Sequence, residues 1–185
     1  WGAPSGGIPG STPGTAPATA LALTAKAALL IILPKGGSGL NNRFEGWYFK
    51  HQKEGQTLAL IVGRAGDGAF LQAVTGDRSY GVGYPLAAYR KGSILRLGGS
   101  RFARNGIRLS VHSRDLELAG QLRYMQLSPI RGDIMGPFQF LPMECRHTVV
   151  SMNHRLAGKV VLNGTPLDFT GGKGYIEGDS GRSFP

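Results

Sequence analysis

The sequence predicts an all-β, antiparallel protein, and three observations carry that expectation. Glycine is abundant, at 30 of 185 residues, and short apolar segments are separated by turn residues. Many turns joining short apolar runs suit strands better than helices. Two Asn-Gly pairs, Asn105-Gly106 and Asn163-Gly164, lie between stretches that alternate apolar and polar side chains. Such pairs favour type I′ hairpin turns, because both residues tolerate positive φ. Finally, no segment after residue 40 sustains a helical period. Short strands at regular spacing then indicate a barrel or a sandwich.

A chain of this length buries one good core, so one domain is expected. Residues 1–40 stand apart from it. The stretch WGAPSGGIPGSTPGTAPATA has no periodicity and reads as a flexible, disordered linker. In LALTAKAALLIILP, the uninterrupted apolar part is Ala27 to Leu33, too short to span a bilayer, and Lys26 breaks the longer run. A basic start and a good cleavage site, the marks of a signal peptide, are missing. Residues 1–40 are therefore expected to be a linker, transit or non-native segment. The chain opens on Trp1 and stops inside the dense stretch GGKGYIEGDSGRSFP. Residues 41–185 are accordingly expected to be a partial β domain.

Strands are predicted at 44–51, 56–63, 69–75, 93–97, 146–153 and 174–177. The first, FEGWYFKH, carries aromatics on both faces. Phe44, Gly46 and Tyr48 share one face, and Glu45, Trp47, Phe49 and His51 share the other. Such a strand is buried on both sides, or lines a cavity on one, with Glu45 at a rim. In SRFARNGIRLSV, a turn at Asn105-Gly106 sets Phe102 opposite Leu109 and Ser100 opposite Val111. Ile107 joins that apolar face, while Arg101, Arg108, Ser110 and His112 point the other way. Leu116, Leu118, Leu122 and Tyr124 then alternate with polar or small residues as another half-buried strand. In AGKVVLNGTPLDF, Val160 faces Leu167, with Leu162 and Phe169 on the same side. Lys159 pairs with Asp168 across the strands.

The net charge of +10 comes mostly from scattered arginines. It permits contact with nucleic acid or anionic lipid without identifying either, and a solvated basic surface is the plain reading. Cys145 is the single cysteine, which excludes an internal disulfide and a multi-cysteine zinc site. Phosphate-binding, dinucleotide, serine-elbow and HExxH motifs are absent from the sequence. The RGD tripeptide at Arg131–Asp133 reads as a turn.

The segment 136–154 gathers Glu144, Cys145, Arg146, His147 and His154 among apolar residues. As a strand, it would place Arg146, Thr148, Val150 and Met152 on one face, and His147, Val149 and Ser151 on the other. His147 and His154 need not meet. Their spacing matches no familiar metal site, so no metal is expected. The plain alternative is a Glu144–Arg146 pair with the histidines bonded to backbone. Near the C-terminus, Glu177, Asp179 and Arg182 read either as an ion network capping the barrel or as a site.

The segments FEGWYFKH, DIMGPFQFLPMECRHTVVSMNHRLAGKVVLNG and LDFTGGKGYIEGDSGRSFP resemble the tocopherol cyclase family, in order and wording, over roughly residues 41–185. The resemblance implies a lipocalin-like β-barrel, with this chain holding one part of a two-unit protein. It also implies cyclisation of a prenylated hydroquinone to a chromanol, an intramolecular lyase-type reaction. There an acid protonates a trisubstituted alkene and the phenolic oxygen traps the tertiary cation. No cofactor is expected. Such chemistry needs an apolar cavity, a protonated acid and aromatic faces beside the cation. Glu144, His147 and His154 are the candidate acids or orienters, with Glu177, Asp179 and Arg182 as second choices. Trp47, Tyr48, Phe138, Phe140 and Tyr175 are the candidate cavity residues. The alternatives are a non-catalytic carrier of an isoprenoid or lipid, and a hydratase of an isoprenoid alkene. The expected partner is a lipophilic small molecule, with neither a specific nucleic acid nor an obligate protein partner. A cytoplasmic location is expected, with peripheral membrane contact as the alternative.

Overall fold

A computed structural model describes residues 43–130 and 145–182, with the side chains of Cys145 and Arg182 outside that description. The candidates Glu144, Phe138 and Phe140, the RGD turn and the segment 1–40 lie outside the described residues. The described part is all-β, as expected, with one short 3₁₀ turn at Leu86–Ala88.

Twelve strands form one antiparallel sheet: β1 (Arg43–Lys53), β2 (Gln56–Ala65), β3 (Gly68–Val74), β4 (Ser79–Pro85), β5 (Tyr89–Arg90), β6 (Leu95–Leu97), β7 (Ser100–Ala103), β8 (Gly106–His112), β9 (Glu117–Met125), β10 (Cys145–Leu162), β11 (Thr165–Asp168) and β12 (Lys173–Arg182). Their order is β4-β3-β2-β1-β12-β10-β9-β8-β7-β6-β5, with β11 beside β10. The sheet is strongly curled. Phe49 on β1 and Phe102 on β7 are five strands apart along it, which in a flat sheet is about 24 Å. Their ring centroids lie 5.3 Å apart. The Arg64 guanidinium on β2 likewise sits 5.9 Å from the Tyr89 ring centroid on β5. The sheet is nonetheless not closed. Its edge strands β4 and β5 are neighbours in sequence, joined by the 3₁₀ turn, and they make no ladder with each other. The Gly98 N–H donates to the Ala88 carbonyl at 3.2 Å, which extends the β5–β6 pairing beyond Tyr89 and Leu97.

Period-two alternation decides what points inward. Trp47 and Phe49, Leu58, Leu60 and Val62, Leu71 and Ala73, Leu95 and Leu97, Phe102, Ile107, Leu109, Leu118, Leu122, Leu156, Val160 and Ile176 all join one core inside the curl. The strand β4 was not read in the sequence, although Tyr80, Val82 and Tyr84 alternate inward with Gly81 and Gly83 outward. β2 and β3 are buried on both faces, with Ile61 and Phe70 covered on the outside.

The second hairpin forms as expected. Asn163 and Gly164 have φ of 47° and 80°, Val160 pairs with Leu167, and Lys159 meets Asp168 at 3.1 Å. The first hairpin differs in register. Phe102 pairs with Ile107 and Ala103 with Gly106, so Arg104-Asn105 is the turn. Gly106 is needed elsewhere: a side chain there would collide with the Leu122 carbonyl on β9. The turn centre moves by one residue and each partner therefore changes by two, so parity survives. Ser100, Phe102, Ile107, Leu109 and Val111 are buried as predicted.

The strand predicted at 146–153 is the first half of the 18-residue β10. The even alternation expected there fails. A bulge between Val149 and Ser151, and another before His154, shift the pairing with β12. An extra residue turns the side chains that follow to the other face. The first bulge turns Ser151 inward and the second restores the alternation, so His147 points outward while Ser151 and His154 are buried inside.

Candidate functional site

Inside the curl lies a cavity of about 480 Å³. Its apolar walls come from Trp47 and Phe49 on β1, Leu95 and Phe102, Val149 and Val150 on β10, and Ile176 on β12. Lys91 to Ser93 and Arg104 bring the polar groups of the two loops beside it. Gly178 shapes the wall: a side chain there would sit 2.9 Å from the Trp47 ring, so the bare backbone lets the indole lie against β12. Beside the cavity, Glu45 is buried and holds two cations. It binds the Lys91 ammonium, and the Arg64 Nε lies 3.6 Å from its other oxygen. Lys91 also sits 5.5 Å from the Trp47 ring centroid, a cation–π arrangement. Tyr89 joins this group, its phenol pushed up by burial and then by the Glu45 charge.

The next inward residue along β1 after Phe49 is His51, which is fully buried. Its Nδ1 lies 3.0 Å from the Leu58 carbonyl and its Nε2 lies 2.7 Å from the Tyr124 hydroxyl. A carbonyl can only accept, so Nδ1 carries the proton and Tyr124 donates to Nε2. Burial pushes His51 down to about 3. His154 packs at a tilt of 49° against Tyr124 with 4.5 Å between centroids, and burial lowers it to about 4. Its Nδ1 is 3.2 Å from Ser151 Oγ, and its ring covers Gly174, where a Cβ would have no room. These two imidazoles are neutral parts of the core.

The remaining candidates assemble on the outer face of β10, β12 and β1. Pairing sets His147 opposite Asp179, and Glu177 opposite Tyr48. His147 Nδ1 bonds the Asp179 carboxylate, and its Nε2 lies 3.4 Å from Glu177 Oε2. The Tyr175 hydroxyl donates to the same Glu177 oxygen at 2.5 Å. Tyr48 packs edge-on against Tyr175 with 6.2 Å between centroids, and burial with the Glu177 charge pushes its phenol up to about 12. Carboxylates accept and do not donate, so His147 Nδ1 carries the proton shared with Asp179, while Nε2 faces Glu177 at ion-pair distance. Glu177 and Asp179 thus meet around His147, while the Arg182 side chain, the third member of the network read in the sequence, lies outside the described residues.

The candidates therefore divide. Trp47 lines the cavity. His147, Glu177, Asp179, Tyr48 and Tyr175 meet on the opposite face of the same wall, and His154 belongs to the buried network. His147 bonds Asp179 and His154 Nδ1 bonds Ser151 Oγ, contrary to the backbone bonding of the plain reading, and His154 Nε2 has no partner among the described residues. Sequence reasoning passed over Lys91, Arg64 and the His51–Tyr124 bond. Glu45 was legible, since it shares the parity of Trp47 and Phe49. Lys91 was not, because a loop residue has no periodic signal. Among the described residues, no cluster of three His, Cys, Asp or Glu side chains is arranged to hold a metal ion. No family model matches the chain, and no curated protein matches it in sequence.

Proposed function

We propose that the protein binds a lipophilic, isoprenoid-type small molecule inside its curled sheet. The observation that carries this reading is the cavity of about 480 Å³ with aromatic and aliphatic walls and cations beside it. Ligand sites of that size with apolar linings and few polar groups commonly take such molecules. Val150 is partly buried on the lining, so Val150→Trp fills the space with little backbone strain. An environment-sensitive lipophilic dye is expected to bind the wild type saturably and the variant at least about tenfold more weakly. Equal affinity for both would place the ligand elsewhere.

A second reading is catalysis at a separate place, on the outer face of the same wall and not in the cavity, and the cluster there favours it. The resemblance to tocopherol cyclases implies proton-initiated closure of a chromanol ring. An acid gives a proton to the alkene carbon, the phenolic oxygen bonds the resulting cation, and the phenolic proton returns to the conjugate base. His147, bridged between Asp179 and Glu177, is the group arranged to give and recover a proton. The Tyr48 and Tyr175 rings beside it offer aromatic surface to a cation. On this reading His147→Ala lowers turnover of a prenylated hydroquinone at least about a hundredfold and leaves dye binding in the cavity unchanged. Unchanged turnover would leave the protein as a carrier.

A further inference from the structure

The scattered arginines of the sequence are not scattered in space. Arg90 on β5 is directly opposite Arg96 on β6, Arg96 is opposite Arg101 on β7, and Arg101 is opposite Arg108 on β8. Four arginines thus stand side by side on four adjacent strands, in a row about 14 Å long. Their sequence neighbours Tyr89, Leu95, Leu97, Phe102, Ile107 and Leu109 are buried, so the row projects outward. None of the four makes an ion pair with an acidic group among the described residues. Residues 89–125 hold seven arginines and Lys91 against Asp115 and Glu117 alone.

Like charges directly opposite on neighbouring strands work against the fold. A row of four is therefore explained better by a partner than by stability. Next to it, Arg101, Arg108, Ser110 and Gln121 surround a shallow hollow of about 530 Å³ that includes Gly99 and Gly120. Guanidinium groups with a hydroxyl and an amide around an open hollow suit a phosphate-bearing headgroup.

We propose that this row is a docking face for an anionic phospholipid surface. Charge complementarity supports it, and two further features favour a bilayer over nucleic acid. The loops bounding the row, Lys91–Ser93 and Arg104, also line the apolar cavity, and Ile94 beside them is exposed. A lipid surface would then lie next to the space that takes a lipophile. Among the described residues, the face also presents no exposed aromatic for base stacking: Tyr89, Phe102 and Tyr124 are buried. Docking does not require the cavity reading, and each can fail alone.

The test is flotation of the full chain with vesicles of phosphatidylcholine, with and without phosphatidylglycerol. The wild type is expected to float only with the anionic vesicles and to be released by salt. Each basic residue near such a surface contributes roughly fivefold, so Arg101→Gln with Arg108→Gln is expected to weaken binding about thirtyfold. Arg78→Gln with Arg114→Gln, removed from the row, is expected to change affinity far less. The melting temperature of the row variant should stay level or rise, because repulsion is relieved. Binding to neutral vesicles as tight as to anionic ones would overturn the proposal, as would equal loss in both variants. A duplex or single-stranded oligonucleotide that binds more tightly than anionic vesicles at equal phosphate would also overturn it, in favour of nucleic acid. A row variant that melts lower and still floats would show a structural role instead.

Discussion

Stability is expected to fall steeply as pH drops from 6.5 towards 4, with a loss on the order of 3 to 6 kcal/mol from two histidines. His51 and His154 are held neutral by burial, at about 3 and about 4 in the folded state. In the unfolded chain each takes up a proton near the ordinary value of 6.5. Above that pH both states are neutral, and the full stability is present. Below it the unfolded state binds more protons than the folded one, so unfolding is favoured progressively until the folded pKa values are reached. Each unit of depression is worth about 1.4 kcal/mol. A loss of this size is a large fraction of the stability of a single domain. Urea unfolding at a series of pH values reads it directly. The midpoint should fall continuously below pH 6.5, and His51→Gln should flatten that slope while lowering stability at neutral pH. A midpoint level from pH 7 to pH 4 would mean that the imidazoles are hydrated or protonated in the folded protein.

The second large effect is expected at Phe169. It is fully buried and lies 5.9 Å, centroid to centroid, from the His51 ring. Its backbone N–H donates to the Gly158 carbonyl, which fixes the chain leaving β11 against β10. Phe169→Ala removes an aromatic from the core and leaves a hole beside a histidine that tolerates no water. Such truncations cost about 3 to 5 kcal/mol. Calorimetry or denaturant unfolding should register that loss at pH 7. Phe169 does not line the cavity, so dye affinity measured where the variant is still folded should stay near the wild-type value. Val150→Trp should behave oppositely, with small stability change and lost binding. If Phe169→Ala abolished binding while remaining folded, the core and the cavity would be one unit.

Much of the fold was legible in the sequence because a strand has a simple code. Leu116, Leu118, Leu122 and Tyr124 alternate, and all four are buried. FEGWYFKH was read with the correct inward set, Glu45, Trp47, Phe49 and His51. Register was less legible. Asn105-Gly106 carried a turn signal, yet Gly106 serves the close approach of β9, and one local motif cannot report a contact sixteen residues away. The site was harder still. Even alternation already sets His147 and His154 on opposite faces, but the inward turn of Ser151 towards His154 depends on a bulge after Val149 that no local pattern announces. The meeting of Glu45 with Lys91 follows from the curl, a long-range property of the sheet, and the row of four arginines follows from the registers of three successive hairpins.

The cavity is where the ligand is proposed to bind, and Trp47 on its wall is a natural reporter. The chain has two tryptophans, Trp1 and Trp47, so Trp1→Phe isolates the second. Titrating that protein with a prenylated quinone, which quenches indole fluorescence on contact, measures occupancy directly. The expected result is saturable quenching at one ligand per chain that is unaffected by Glu177→Gln on the outer face and lost in Val150→Trp. Quenching that rises linearly without saturation, or that is indifferent to Val150→Trp, would contradict a lipophile bound inside the sheet.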